Sequence, residues 1–369
     1  QRALAVQTTI EQYLRPLIVG RDATRIEELW RLMMQNGYWR NGPVLNNAVS
    51  AIDIALWDLK GKQAGLPIYD LLGGKYREAA AVYEHTDAPE QAELMDNIAA
   101  AVERGVRFVR IQLGGQVRAA AEATHMPYGG AVVREHRPEG ALDGAYSHPR
   151  RHVERILGAV EAARSAHPQL ELIHDAHGRL EPNDAVAFAK DLEPYKMFFL
   201  EDPLPPEQLD WLERLRAHAT TPIAIGELFA HPQEWRPLVS KRQLDFLRMH
   251  ISSIGGLTPA RKAAAVGELH GVRTAWHGPG DVSPLGHAAQ LHLDLAAPNF
   301  GIQEMVAFPE AVEEVFPGTP KASGGYVQLS DKPGLGVDFN AEAAARFPPS
   351  TGVVDWTQTR LPDGSLHWP

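Results

Sequence analysis

Three acids carry the most legible chemistry in this chain. Asp175 closes the run LIHD, Glu201 closes FFLE and Glu227 closes IAIGE, and 26 residues separate each from the next. A strand, a loop, a helix and a second loop need about that much chain. Equal spacing therefore puts one acid at the end of each of three successive strands, on the same edge of a parallel sheet. Buried carboxylates are costly unless paired or metal-bound. A ring of carboxylate oxygens is a site for a hard divalent cation, Mg2+ rather than Zn2+. A lone acid at a strand end would be an ordinary loop or capping residue; three in step are not.

Two histidines stand near these acids. His177 lies two residues after Asp175 and on an extended chain shares its face. IHDAH also has the look of a zinc motif, but His174 is adjacent to Asp175 and points the other way. His174 therefore reads as a packing residue outside the sheet. His177 and His277 remain as groups able to give and take protons near neutral pH.

The elements that must position these groups follow from pattern. Residues 1 to about 35 read as helices, with stops near Pro16, Gly20 and Gly37. A further helix starts at Asn46 or Asn47, buries Val49, Ile52, Leu56 and Leu59, and ends at Gly65 and Pro67. From about Ala79 the rhythm changes to short apolar strands alternating with amphipathic stretches. Strands are predicted at 79–84, 106–112, 171–175, 197–201, 222–227, 244–249, 272–277 and 300–304. DAVAFAKDLEPY and EQLDWLERLRAHA are the clearest intervening helices. Eight strands with helical crossovers favour a (β/α) barrel over an open doubly wound sheet. No Gly-rich dinucleotide fingerprint follows the early strands. Barrel enzymes keep their chemistry at the C-terminal strand ends. Those ends supply Arg110, Gln112, Asp175, His177, Glu201, Glu227, His250, His277 and Glu304. Residues 114–148, rich in Gly and Pro, interrupt the alternation as a long functional loop.

Composition sets outer bounds. The chain has 369 residues, 44% of them hydrophobic, enough for a large core and two domains. It has no Cys, so neither disulfides nor thiolates take part. A net charge of −10 argues against nucleic acid as the partner. No run of membrane-spanning length and no secretory pattern is present, which leads to the expectation of a soluble, cytoplasmic protein with no membrane partner.

The ordered motifs HDAHGRLEP, FFLEDPLPPEQ, IAIGE, WHGPGDVSP, PNFGIQE and KPGLGVD resemble the enolase superfamily. The resemblance is nearest to its mannonate and D-gluconate dehydratase group of sugar-acid dehydratases, and it covers nearly the whole chain. It implies an α/β fold: a modified TIM barrel, (β/α)7β, with an α+β capping domain whose N-terminal strands are absent from this chain. The capping domain is expected over 1–78, completed by 338–369, with the barrel over 79–337. The resemblance further implies Mg2+ on Asp175, Glu201 and Glu227. It makes His177 the general acid, and Tyr128 the base, paired with Arg110. His277, Glu304, Asp281, Gln112 and Trp368 become substrate contacts. The implied reaction removes water from a sugar acid of D-mannonate or D-gluconate type and yields a 2-keto-3-deoxy acid. A catalytically weak relative that binds or senses a sugar acid is the alternative, and a zinc hydrolase a distant third. The superfamily also implies a homo-oligomer, a dimer or higher.

The second strand reads RIQ, not a Lys-x-Lys pair, which argues against the cycloisomerase and dipeptide-epimerase branches. The sixth offers Arg248 and His250 but no Asp to orient His277, which argues against a racemase-type His–Asp base.

Overall fold

The computed structural model describes residues 2–114, 139–140, 146–348 and 360–367; Tyr128 and Trp368 lie outside them. In chain order the helices are α1 (Ala3–Thr9), α2 (Arg15–Ile18), α3 (Ile26–Met34), α4 (Pro43–Ala64) and α5 (Ile68–Leu71). Strand β1 (Ala80–His85), α6 (Gln91–Glu103) and β2 (Phe108–Arg110) follow, then α7 (Pro149–Ala166), β3 (Glu171–Asp175), α8 (Pro182–Asp191) and β4 (Phe199–Glu201). The alternation continues through α9 (Leu212–His218), β5 (Ile223–Ile225), α10 (Pro232–Ser240), β6 (Phe246–Leu247), α11 (Leu257–His270) and β7 (Arg273–Thr274). Last come α12 (Pro284–Ala296), β8 (Gln303–Glu304), α13 (Glu310–Val315), the short strands β9 (Ala322–Ser323) and β10 (Tyr326–Val327), and α14 (Ala341–Ala344). The chain divides into two compact units, residues 1–82 with 226–350, and 83–225 with 351–369. Among the described residues no helix is long and apolar enough to cross a membrane.

The second unit holds a run of parallel strands. His85 pairs with Arg110, Arg110 with Ile173, Asp175 with Glu201, and Glu201 with Ala224. Its strands bury Val109, Leu172, Ile173, Phe199, Leu200, Ile223 and Ala224 almost completely. Strands buried on both faces read as continuous apolar runs, which is why these segments were visible in the sequence. All eight predicted strands occur, and 171–175 is matched end to end. β1 keeps its predicted length, shifted by one residue to Ala80–His85, and the other six are shorter than predicted because only part of each run holds ladder pairing.

In the first unit β6 and β7 run parallel, and Thr274 bridges to Phe300. The end of β1 at Ala80 and Ala81 pairs antiparallel with β10, which turns back on β9. Three helix expectations need correcting. Pro16 does not stop the first helix: the chain widens into a π turn over Ile10–Leu14 and resumes as α2, with Pro16 in its first turn, where no intrahelical N–H is required. The helix predicted to start at Asn46 begins at Pro43. Asn46 sits inside it, buried, donating to Asn41 Oδ1 at 2.8 Å, Ala230 O at 2.9 Å and Ser253 O at 2.7 Å. Its buried stripe runs through Val49, Asp53, Trp57 and Gly61, while Leu59 is half exposed.

Asp53 shows why that stripe contains an acid. Its Oδ2 accepts the Thr258 N–H at 2.9 Å in the first turn of α11, and Trp57 Nε1 donates to Thr258 Oγ1 at 2.9 Å. Gly256, the cap position of α11, offers no side chain; with φ at +104° and a Cβ that would fall 2.5 Å from Asp53 Oδ2, it has room for none. The capping acceptor is supplied by another helix. Burial pushes the Asp53 carboxyl up to about 7, against the opposing pull of the Thr258 hydrogen bonds. A carboxyl with its pKa raised on folding binds protons more tightly in the native state. Its contribution to stability is complete below its unfolded pKa and is lost as pH rises towards 7. Asp53→Asn is therefore predicted to gain in Tm relative to the wild type as pH is raised from 5 to 8, measured by thermal melts. A difference that stays flat with pH would remove Asp53 as the source.

Candidate active site

In the second unit the site is built on β2, β3 and β4. Asp175 and Glu201 are register partners, 1% and 0% exposed. Arg110, on the strand before, reaches Asp175 Oδ2 at 3.5 Å, Asp87 Oδ2 at 3.1 Å and His85 Nδ1 at 3.2 Å. It is itself buried, so it offsets part of the negative charge without access to water. Gln112, two residues beyond, is also buried.

His177 stands just past β3, half buried. Its backbone is left-handed, φ +54°, and Gly178 follows at +66°. A non-glycine residue held there costs about 1 kcal/mol or more and persists where its surroundings enforce it. Here the Asp175 carboxylate enforces it, accepting the His177 N–H at 2.7 Å, and Gly178 donates to Asp202 O at 2.7 Å. A side chain at Gly178 would press on Pro205 Cα at 3.3 Å. The acid nearest His177 thus also sets its place. The opposite phase of the strand behaves as expected: His174 is fully buried against His152 and Phe188, and Nδ1 donates to Ile111 O at 2.8 Å. Burial pushes it down to about 4, so it is a neutral packing residue near pH 7.

In the first unit Glu227 follows β5 by two residues. Its Oε2 lies 3.3 Å from Arg248 Nη1 and 3.1 Å from His277 Nε2. Arg248, 1% exposed, also reaches Glu304 Oε2 at 2.5 Å, and the same oxygen accepts the Gly278 N–H at 2.7 Å. One guanidinium thus bridges two acids, a charge-assisted pairing that a buried Arg favours. His277 is steered from behind, since Gln290 donates to its carbonyl at 2.8 Å and Gln303 to Gln290 Oε1 at 3.1 Å. The His250 ring lies 5.0 Å from that of His277, and one atom each of His250, His277 and exposed Asp281 fall within 4.8 Å of one another. Burial first, and the neighbouring His277 second, push His250 down to about 4, although Asp281 and Glu227 pull the other way.

Of the residues predicted for the site, Arg110, Gln112, Asp175, His177 and Glu201 come together in one unit, and Glu227, His277, Asp281 and Glu304 in the other. Tyr128 and Trp368 lie outside the described residues, as does most of the predicted loop at 114–148. Arg248 and Asp87 were absent from the predicted site. Arg248 was legible as the polar phase of LDFLRMH; nothing in the local pattern marks Asp87, whose role depends on where Arg110 ends.

In the second unit Asp175 and Glu201, buried and adjacent, offer carboxylate oxygen of the kind a hard cation takes; in the first unit Glu227, two residues past β5, offers the same type of donor. His250, His277 and Asp281 form a mixed nitrogen and oxygen set, the softer type that zinc prefers.

Comparison with known proteins accords with this architecture. The enolase C-terminal domain-like family matches residues 93–344, and the mandelate racemase / muconate lactonizing enzyme N-terminal domain matches residues 1–73. The chain is 48% identical, over its full length and 90% of the relative, to the D-galactonate dehydratase family member RspA of Pantoea ananatis. It is 46% identical to a D-galactonate dehydratase family member of Enterococcus gallinarum, again over its full length and over 89% of the relative. A crystal structure of an enolase from Pantoea ananatis with bound D-gluconate and Mg superposes with a TM-score of 0.96 at 47% identity, covering 100% of this chain and 90% of that one. A mandelate racemase/muconate lactonizing enzyme structure from Labrenzia alexandrii gives 0.79 at 27% identity, covering 94% of this chain and 84% of that one. The fold is accordingly α/β, a modified TIM barrel with an N-terminal capping domain. The chain belongs to the enolase superfamily and, within it, to the D-galactonate dehydratase family.

Proposed function

We propose that the protein is a Mg2+-dependent hydro-lyase that dehydrates an aldonic acid of D-gluconate or D-mannonate type to the 2-keto-3-deoxy acid. The observation that carries this reading is the buried Asp175–Glu201 pair with His177 held beside it by Asp175 itself. A relative 47% identical over the full chain holds D-gluconate and Mg. Asp175, Glu201 and Glu227 would hold the ion. When bound, it supplies positive charge against the charge that builds up on the substrate carboxylate as its neighbouring proton leaves.

The chain's own residues do the rest. A base removes the proton at C2; the family resemblance gives this role to Tyr128, beside Arg110. The C2–H electrons form the C2=C3 bond, and the C3–O bond breaks. His177 gives a proton to the departing hydroxyl, which leaves as water. The enol then takes a proton at C3 and becomes the ketone. His277, Glu304, Asp281, Gln112 and Trp368 are proposed to hold the hydroxyls and carboxylate. Arg248 keeps Glu227 and Glu304 in place, since buried acids sharing one guanidinium lose their counter-charge if it goes.

A panel of aldonic acids with Mg2+, read by formation of a 2-keto-3-deoxy product, tests the reading. Turnover of D-gluconate or D-mannonate is expected. Binding without product from any acid would overturn it in favour of a sugar-acid-binding protein. Glu201→Gln is predicted to lower kcat by about a thousandfold or more, since one charge of the metal site and its transition-state contribution are lost. Wild-type turnover in that variant would contradict the assignment. His177→Asn is predicted to slow dehydration by about 10² to 10⁴ while α-proton exchange with D2O persists, because the base step does not need the acid. Undiminished dehydration would remove His177 from that role.

A further inference from the structure

His250 stands among the proposed substrate contacts of the first unit, yet the scheme above gives it no task. It lies three residues past β6 and is 6% exposed. The turn it opens is tied down at many points. Its carbonyl accepts the N–H of Ser253 at 3.0 Å and of Ile254 at 3.2 Å, and Gly256 N donates to Ile251 O at 2.9 Å. Three side chains from α3 and α4 dock on the same backbone: Trp30 Nε1 donates to Gly255 O at 2.8 Å, Asn46 Nδ2 to Ser253 O at 2.7 Å and Ser50 Oγ to Ile251 O at 3.5 Å. The next strand is joined on as well, since His277 N donates to Met249 O at 3.1 Å.

The ring is oriented by its own turn. His250 Nδ1 accepts the Ser252 N–H at 3.2 Å, and burial keeps the imidazole neutral, so its one ring proton sits on Nε2. A histidine that binds a metal through one nitrogen donates through the other. His250 accepts there, so its Nε2 is a hydrogen-bond donor and not an ion ligand. One ring nitrogen of His250, one of His277 and one carboxylate oxygen of Asp281 lie within 4.8 Å of one another. An atom centred on such a triangle is at most about 2.8 Å from each corner, the length of an ordinary hydrogen bond to oxygen. A hydroxyl group matches the set, since its oxygen accepts an N–H while its own proton goes to a carboxylate. The His277 ring, 5.0 Å from that of His250, closes one side. We propose that His250 is a specificity-determining residue that donates its Nε2–H to one hydroxyl of the sugar acid, the same hydroxyl that donates to Asp281. This rests on the reading of the substrate as an aldonic acid given above. It also gives the grip of α3 and α4 on residues 250–256 a purpose, because a donor selects among hydroxyls only when its place is fixed.

The test pairs two variants with trimmed substrates. In His250→Asn the side-chain oxygen can still accept the Ser252 N–H, but the distal donor is gone; in His250→Gln the amide N–H reaches the place of the ring Nε2–H. With Mg2+ and the best aldonic acid, His250→Asn should lower kcat/KM by about tenfold to a hundredfold, mainly through KM, the scale of one hydrogen bond lost from a desolvated site. His250→Gln should recover most of that loss. Analogues that each lack one hydroxyl beyond C3 then identify the contact. For one of them the wild type and His250→Asn should differ by less than about twofold, as a directly coupled pair requires. An equal loss on every analogue marks a general structural role and overturns the proposal, and so does wild-type kcat/KM on the full acid in His250→Asn. Should His250→Asn fail to fold, ring-nitrogen NMR of the wild type decides: the full acid should shift the His250 Nε2–H signal and one analogue should not, and a signal unmoved by the full acid overturns the proposal. If the wild type dehydrates no aldonic acid, the functional reading fails, while calorimetric binding of the same acids to the wild type and His250→Asn still decides the contact. Equal binding, or none, overturns it.

Discussion

Asp175 and Glu201 stand side by side on β3 and β4, almost wholly removed from water. Neighbouring strands are about 4.8 Å apart. Two unit charges at that distance repel by about 3 kcal/mol at the effective dielectric of a protein site, before the cost of desolvating either. Few folds accept such a pair without a reason. The structure answers with guanidinium groups that are themselves buried. Arg110 lies between Asp175 and Asp87, and Arg248 between Glu227 and Glu304. The second unit thus brings three acids, Asp175, Glu201 and Asp87, against one Arg, and the first brings Glu227 and Glu304 against one, so carboxylates outnumber guanidinium groups in each. A divalent cation is the matching partner.

The same acid that needs the cation also shapes the chain around it. Asp175 holds the His177 amide, and that bond helps keep His177 in a left-handed conformation its side chain disfavours. Placement of His177, the proposed proton donor, is therefore tied to Asp175, a proposed metal ligand, by one hydrogen bond. Histidines of one type are sorted by their surroundings. His174, three residues before His177, is neutral and buried among Ile111, His152 and Phe188, while His177 keeps contact with solvent. His250 is held neutral beside His277 by burial. Burial, more than residue type, marks His174 and His250 as neutral histidines.

Much of this was legible because strand register converts spacing into geometry. Equal intervals between Asp175, Glu201 and Glu227 anticipated the pairing of Asp175 with Glu201, and the period of two put His174 on the packing side. What escaped depends on contacts between distant parts of the sequence. Asn46 looks like a cap, yet it is buried inside α4 because three acceptors elsewhere in its unit claim its amide. Asp53 breaks an apolar stripe to cap a helix some two hundred residues away. Arg248 is an ordinary polar strand residue until Glu227 and Glu304 close on it. No local period encodes such pairings.

The claim on which the rest depends is that the buried Asp175–Glu201 pair holds a hard divalent ion. Titration of the metal-stripped protein with Mn2+, followed by electron paramagnetic resonance with Mg2+ as competitor, measures it directly. The account predicts one displaceable ion per chain, with affinity reduced by about a hundredfold or more in Asp175→Asn, where a charged oxygen ligand is lost. No ion bound by the wild-type chain, or an ion bound equally well by Asp175→Asn, would contradict it.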